Sequence, residues 1–436
     1  MWQQHKGPCK EKAAAKAKAK AESDAAEAEV EKVKEEADDI QTLCSAGCGE
    51  VALERCSLCA GAKYCGRKCQ KKHWPEHKEL CKLAVETRNS IGDNIEIVDK
   101  KIEGYKRDAE AGDAVAQFNL GLCYERGTGI TVDKREAIKW YTRAAEGGDS
   151  NAQYNLGQCY REGTGVTVDL REAVKWYTRA AESGNVNAQF NLGQCYREGT
   201  GVTIDIHEAF KWYTRAAESG DSGAQFNLGV CYEKGTGVTV DKREAIKWYK
   251  RAADTGYCDA QNALGNCYFL GDGVSVDKLE AIKWYTRAAE AGHVKAQFFL
   301  GQCYAEGTGV TVDLREAVKW YTRAAEAGHV SAQYNLGVCY RDGYGVTIDK
   351  RKAFKWFKLA ADAGKSDAQH NLGVCYFTGD GVDVDKREAI KWFTRAAEAG
   401  EANAQDALGQ IYKVGAGVAI DIQESNKWYA MAAVPR

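Results

Sequence analysis

What this chain of 436 residues lacks narrows it quickly. It has no run of about 18 apolar residues, the length a membrane-spanning helix needs, so no membrane partner is expected. The stretch from Met1 to Cys9 has no apolar core of the kind a secretory signal requires, and the chain reads as intracellular, cytoplasmic or nuclear. An excess of either charge is missing as well. The 60 Lys and Arg stand against 62 Asp and Glu, and a net charge of −2 gives no long-range pull toward nucleic acid or acidic lipid. No Walker loop, dinucleotide fingerprint or hydrolase elbow occurs, which removes the common enzyme signatures.

What is present is repetition. Trp140, Trp176, Trp212, Trp248, Trp284, Trp320, Trp356, Trp392 and Trp428 follow one another at intervals of 36 residues, nine copies without an insertion. A strict period of this length means stacked units that grow in one dimension, which frees a long chain from needing one large core. Each copy reads as two helices. The first, Ala114 to about Arg126, sets Ala116, Leu120 and Tyr124 on one face, and Gly121 lets a neighbouring helix come close. Gly127-Thr128-Gly129 breaks it. Asp133 then begins the second helix as N-cap, with Glu136 at N3 in an Asp variant of the capping box; of the nine copies only Asp349, with Lys352, departs from this. Ala137, Tyr141 and Ala144 are expected inside with Trp140 beside them, Lys139 and Arg143 in water, and Gly148 at the C′ position.

The flanks differ. Residues 1–43 are an Ala/Lys/Glu-rich segment, helical or disordered, and 82–100 form a polar linker. Residues 101–436 are the repeat region, opened by a half-unit, Ile102 to Asp113, in which Gly104 replaces the tryptophan, as an N-terminal cap should. The last copy stops at Arg436 without a capping helix, an end read as a self-association site or a truncation. Mid-helix Asn119, Asn155, Asn191, Asn227, Asn335 and Asn371 have two readings: a ladder for an extended peptide, or caps on inter-repeat loops. The second is adopted here.

The unit AQ-x-NLG-x-CY-x-x-G-x-GV-x-x-D-x-x-x-A-x-x-WY-x-x-AA resembles the Sel-one-like repeat, a relative of the tetratricopeptide repeat. The resemblance implies an all-α fold, a right-handed α-solenoid of helix-turn-helix repeats, used as an interaction scaffold.

Seventeen cysteines divide unevenly. Eight, from Cys123 to Cys375, recur once per repeat. Equivalent sites on stacked helices lie roughly 8–10 Å apart or more, too far for a disulfide, so these read as buried free thiols. Cys9 and Cys258 are assigned no role. The remainder form pairs with His77: Cys44/Cys48, Cys56/Cys59, Cys65/Cys69 and His77/Cys81. Such short spacings bring two ligands to one tetrahedral ion, and Pro75 suits the first turn of a helix carrying His77 and Cys81 at i, i+4. Eight ligands with no open position suit two structural zinc ions.

Residues 44–81 resemble the MYND zinc finger. The resemblance implies interleaved ligation, with Cys44, Cys48, Cys65 and Cys69 on one ion and Cys56, Cys59, His77 and Cys81 on the other. Spacing alone leaves sequential pairing open. It also implies binding of proline-containing PxLxP-type peptides through Ser57, Gln70 and Trp74, where the indole offers proline a flat apolar surface; packing of Trp74 over the zinc core is the other reading. The finger's formal excess of basic side chains is cancelled by its thiolates and two ions, so nucleic acid is not expected as a partner. MYND fingers also occur in SET-domain methyltransferases, but no segment here is long enough for such a catalytic domain. The expectation is a non-enzymatic, zinc-binding protein-interaction adaptor on a helical scaffold.

Overall fold

The computed structural model describes residues 54–55, 63–64 and 100–433. The finger's ligands and groove residues, the N-terminal segment and nearly all of the linker lie outside them. Within the finger one short antiparallel ladder is described, pairing Glu54 with Tyr64 and Arg55 with Lys63; in sequence it brackets the Cys56/Cys59 pair. The rest of the described secondary structure is helical, so the fold is all-α.

The helices come in pairs, as the period predicts. In the first repeat they span Ala114–Arg126 and Lys134–Glu146, and each later repeat places its own pair 36 residues on. The boundaries follow from capping. The Asp113 carboxylate accepts from the Ala116 N–H at 2.6 Å, and Gly127, at φ 75°, closes the first helix with its N–H on the Cys123 carbonyl. Asp133 caps the second helix by accepting from the Arg135 and Glu136 N–H groups at 2.9 and 3.0 Å. The expected capping box is only half made. The Glu136 carboxylate takes the Lys139 ammonium at 2.6 Å, while the Asp133 N–H donates to the Tyr124 carbonyl at 2.9 Å. That bond ties the start of the second helix to the end of the first.

Within a repeat the helices meet where tyrosine lies on glycine. Tyr141 is fully buried, and a Cβ on Gly121 would stand 2.7 Å from two carbons of its ring. Between repeats the contact is a small-residue seam. Ala137, Ile138, Tyr141, Ala144 and Ala145 of the first repeat pack on Ala152, Leu156 and Cys159 of the second, and Trp176 reaches back to cover them. The buried Gln153 crosses the seam, its Nε2 donating to the Ala145 carbonyl at 3.0 Å. It adds a second, inter-helix bond to a helix C-terminal carbonyl that already accepts from the Gly148 N–H at 3.1 Å. Arg143 is exposed as expected, yet its guanidinium lies over the Trp140 ring at 4.7 Å rather than standing free in water.

The chain divides into two compact units, with the boundary between Asp221 and Ser222. The first holds helical residues 100–110 and three repeats. The half-unit packs on the first repeat: Ala109 lies against Ala116, Leu120 and Trp140, and its carbonyl receives the Gln117 amide at 3.0 Å, the same seam bond. The second unit holds the remaining six repeats, where Gln261, Gln297, Gln333, Gln369 and Gln405 repeat the bond at 2.9–3.3 Å. The eight repeat cysteines are buried free thiols. Burial pushes Cys159 and Cys267 up to about 12, and Cys195, Cys303, Cys339 and Cys375 up to about 11.

Candidate functional site

The seam residues barely change along the array, so the surface that differs from repeat to repeat is the informative one. It lies on the first helices, at the positions of Phe118, Asn119 and Glu125, next to the buried tyrosine of the second helix. In the first repeat the Tyr141 hydroxyl donates to the Glu125 carboxylate at 2.7 Å. Burial, with that carboxylate beside it, raises the Tyr141 pKa far above the phenol value. In the second repeat Arg161 replaces the glutamate and pairs with Glu162 at 3.2 Å, and the buried Tyr177 hydroxyl has no hydrogen-bond partner. In the third, the Arg197 guanidinium lies 6.0 Å over the Tyr213 ring.

The second unit begins with the glutamate arrangement again. Tyr249 donates to Glu233 at 2.7 Å. Next, Phe269 takes the glutamate's place and the Tyr285 hydroxyl turns to Asn266 Oδ1, also at 2.7 Å. Then the position shrinks to Ala305, and a cavity of about 460 Å³ opens beside Tyr321 and Asn335. In the following repeat Arg341 occupies the position. It forks onto Asp342 at 2.7–2.8 Å and reaches Asn371 Oδ1 at 2.7 Å, with the Phe357 ring 5.8 Å away.

The asparagines do not cap inter-repeat loops as expected. Asn371 Oδ1 accepts from Arg341 of the preceding repeat at 2.7 Å and its Nδ2 donates to the Asp367 carbonyl one turn back at 2.9 Å, while Asn155, Asn191 and Asn335 lie beside the hydroxyls of Tyr141, Tyr154 and Tyr321 of the preceding repeat. A mid-helix asparagine at this register faces a side chain of the preceding repeat, not a loop carbonyl. Ala263, Phe299 and Ala407 interrupt the series. Sequence reasoning missed the buried glutamines, whose partner lies eight residues back across the seam; the recurring Ala-Gln pair was their signal.

Of the array's histidines, His207 is exposed, and the others are packed or capping groups. His293 and His329 serve as N-caps, each Nδ1 accepting from a backbone N–H at 3.1 and 3.2 Å. His329 stacks on Phe298 at 4.4 Å, and burial lowers its pKa. Among the described residues no cluster of His, Cys, Asp or Glu could hold a metal ion. The metal and peptide-contact candidates of the finger are outside the described residues.

Comparison with known proteins gives both regions a place. The Sel1 repeat matches nine consecutive stretches, from 114–149 to 402–433, and the MYND finger matches 44–81. Among solved structures, a protective antigen of uropathogenic Escherichia coli with an SLR fold is 35% identical, at a TM-score of 0.66 over 76% of this chain and 79% of that one. A Sel1 repeat protein from Oxalobacter formigenes is also 35% identical, at 0.59 over 71% and 90%. The human histone-lysine N-methyltransferase SMYD3 is 62% identical over 34 residues, and the mouse protein is 58% identical over 33. This chain spans only 8% of the length of each methyltransferase. A match over more than half its length, on the repeat geometry described above, places the chain in the Sel1 repeat family, with a MYND finger ahead of the array.

Proposed function

We propose that the protein is a non-enzymatic adaptor in which a zinc-bearing finger and a helical scaffold bind different segments of protein partners. The observation that carries this reading is the division of labour inside the repeat. Packing groups recur while the first-helix surface passes through Glu125, Arg161, Arg197, Glu233, Phe269, Ala305, Arg341, Phe377 and Lys413. A surface varied on a constant frame suits recognition of an extended partner.

In this reading the finger holds two structural zinc ions, on Cys44, Cys48, Cys65 and Cys69 and on Cys56, Cys59, His77 and Cys81. It presents Ser57, Gln70 and Trp74 to a proline-containing peptide of PxLxP type. The chemistry of the donor set fits, since thiolates and imidazole in pairs are what tetrahedral zinc prefers. The exposed last repeat, with Ile422 and Met431 at the surface, offers a route to self-association. Nucleic acid and membrane are not partners in this reading, and the site of action is the cytoplasm or nucleus. SET-type methyltransferase activity is the alternative. It is disfavoured because the likeness to those enzymes covers only 8% of this chain.

The test is binding of the purified full chain to an array of PxLxP-type peptides and scrambled controls, for wild type and Trp74→Ala, alongside elemental analysis. Selective capture lost in Trp74→Ala, with two zinc ions per chain, supports the finger's role. One ion per chain sinks the two-site assignment, and capture unaffected by Trp74→Ala sinks the peptide assignment.

A further inference from the structure

The array contains its own comparison for the cavity at Ala305. In two repeats the buried tyrosine hydroxyl is met by a carboxylate from the same repeat, Glu125 on Tyr141 and Glu233 on Tyr249, each at 2.7 Å. In the repeat that carries Tyr321 the corresponding residue is Ala305, and nothing in the repeat replaces the carboxylate. The space is instead a cavity of about 460 Å³, whose lining includes Ala305, Ala317, Tyr321, Asn335, Arg341 and Tyr344. Its lining contains one cation and no anion. Arg341 spends two of its N–H groups on Asp342 and one on Asn371. Because a guanidinium has about five, roughly two remain for a ligand. Tyr344 is half exposed, at a loop position held by Thr, Asp or Ala in every other repeat.

We propose that this cavity is a docking site for one acidic side chain, a glutamate of an extended segment in a protein partner. The incoming carboxylate takes the place that Glu125 and Glu233 fill in their own repeats. It accepts from the Tyr321 hydroxyl and the remaining Arg341 N–H groups, while its methylenes lie against Ala305 and Ala317 and the Tyr344 ring flanks the partner's backbone. The charge complementarity selects the occupant. A neutral amide would lose the charge-assisted bonds, and a purely apolar side chain would leave the Tyr321 and Arg341 donors facing it unpaired. This site rests on the adaptor reading and adds to it the chemical class of one contact.

The experiment uses the full chain and an array of ten-residue peptides with one central Glu among Ala, Val and Leu, together with the same array carrying Gln. Wild type is expected to bind the Glu array about tenfold more tightly, the ratio one charge-assisted hydrogen bond supplies. Ala305→Glu rebuilds the arrangement of the two glutamate repeats and should abolish that preference at an unchanged melting temperature. Tyr321→Phe, a residue the array itself uses at Phe357 and Phe393, should reduce the preference without filling the cavity; it decides the matter if Ala305→Glu folds poorly. Equal binding of the Glu and Gln arrays, or a preference that survives both substitutions, overturns the site. Selective capture of PxLxP-type peptides by the same preparation would then show that the cavity assignment had failed and not the adaptor reading.

Discussion

Two glycine-to-alanine substitutions should shift stability in opposite directions. Gly157 lies inside the first helix of the second repeat, where alanine gains roughly 1 kcal/mol in helix propensity. Its new methyl, however, would stand 2.7 and 2.8 Å from two carbons of the Tyr177 ring and 3.2 Å from the Ala173 carbonyl oxygen. That ring is fully buried and cannot swing aside, so the helices must separate. Overpacking of this kind costs ~1–3 kcal/mol. Because both ring contacts are well below ordinary distance, the upper half of that range applies, and the net loss is about 1–2 kcal/mol. Gly104, in the capping half-unit, is also helical but has no atom within 4 Å of where a methyl would go, so Gly104→Ala keeps the whole gain, up to ~1 kcal/mol. The assay is urea unfolding followed by tryptophan fluorescence and far-ultraviolet circular dichroism. Trp176 reports the seam beside Gly157, and fits need a nearest-neighbour treatment because repeat arrays are not strictly two-state. A neutral or stabilising Gly157→Ala would refute the tyrosine-on-glycine account of the hairpin.

Three further outcomes follow from the same geometry. Gln153→Leu removes the cross-seam bond to the Ala145 carbonyl, which keeps its bond from the Gly148 N–H, and it also removes the unpaired buried Gln153 Oε1; the cost in urea unfolding should be no more than about 1 kcal/mol. At pH 8 a thiol held up to about 11 is ionised in roughly one molecule per thousand, so Cys195, Cys303, Cys339 and Cys375 should resist Ellman's reagent until the chain unfolds. Chelation, by contrast, should release finger thiols without loss of helical dichroism. His329 caps its helix only while Nδ1 is unprotonated, and burial holds its folded pKa below the unfolded value of about 6.5. The unfolded chain therefore binds the proton first. Stability is full above pH 6.5 and falls as the pH drops below it toward the folded value; His329→Asn, the capping residue of Asn185, should flatten that slope in melting curves from pH 7.5 to 5.

Much of the scaffold was legible because its determinants are local. Asp at the start of each second helix, Gly after each first one and the alternation of Ala, Leu and Tyr are written within single turns of chain, and each landed where the spacing put it. What stayed hidden is relational. Arg143 looked like a solvated charge because nothing in a linear reading says that its guanidinium returns to Trp140 in the turn before it. Glu136 looked like half of a reciprocal cap, yet the Asp133 N–H found the Tyr124 carbonyl of the preceding helix first. Helix propensity marks the asparagines as out of place without saying what they face. The cavity at Ala305 was invisible for another reason: a small residue in a sequence is silent about the volume it vacates.

These misses share a pattern that bears on how the array works. In a stacked repeat each unit touches only its neighbours, so a substitution at one first-helix position changes one local surface and leaves the rest of the stack intact. Where the residue beneath that position is tyrosine, its hydroxyl meets a different neighbour from repeat to repeat: Glu125 satisfies it, Phe269 diverts it to Asn266, Arg161 leaves it unpaired and Ala305 exposes it to a cavity. A buried hydroxyl with a variable partner is costly to leave unmet, and that cost gives each repeat a distinct preference for what lies over it. The 36-residue period supplies the frame, and the departures from it supply the chemistry.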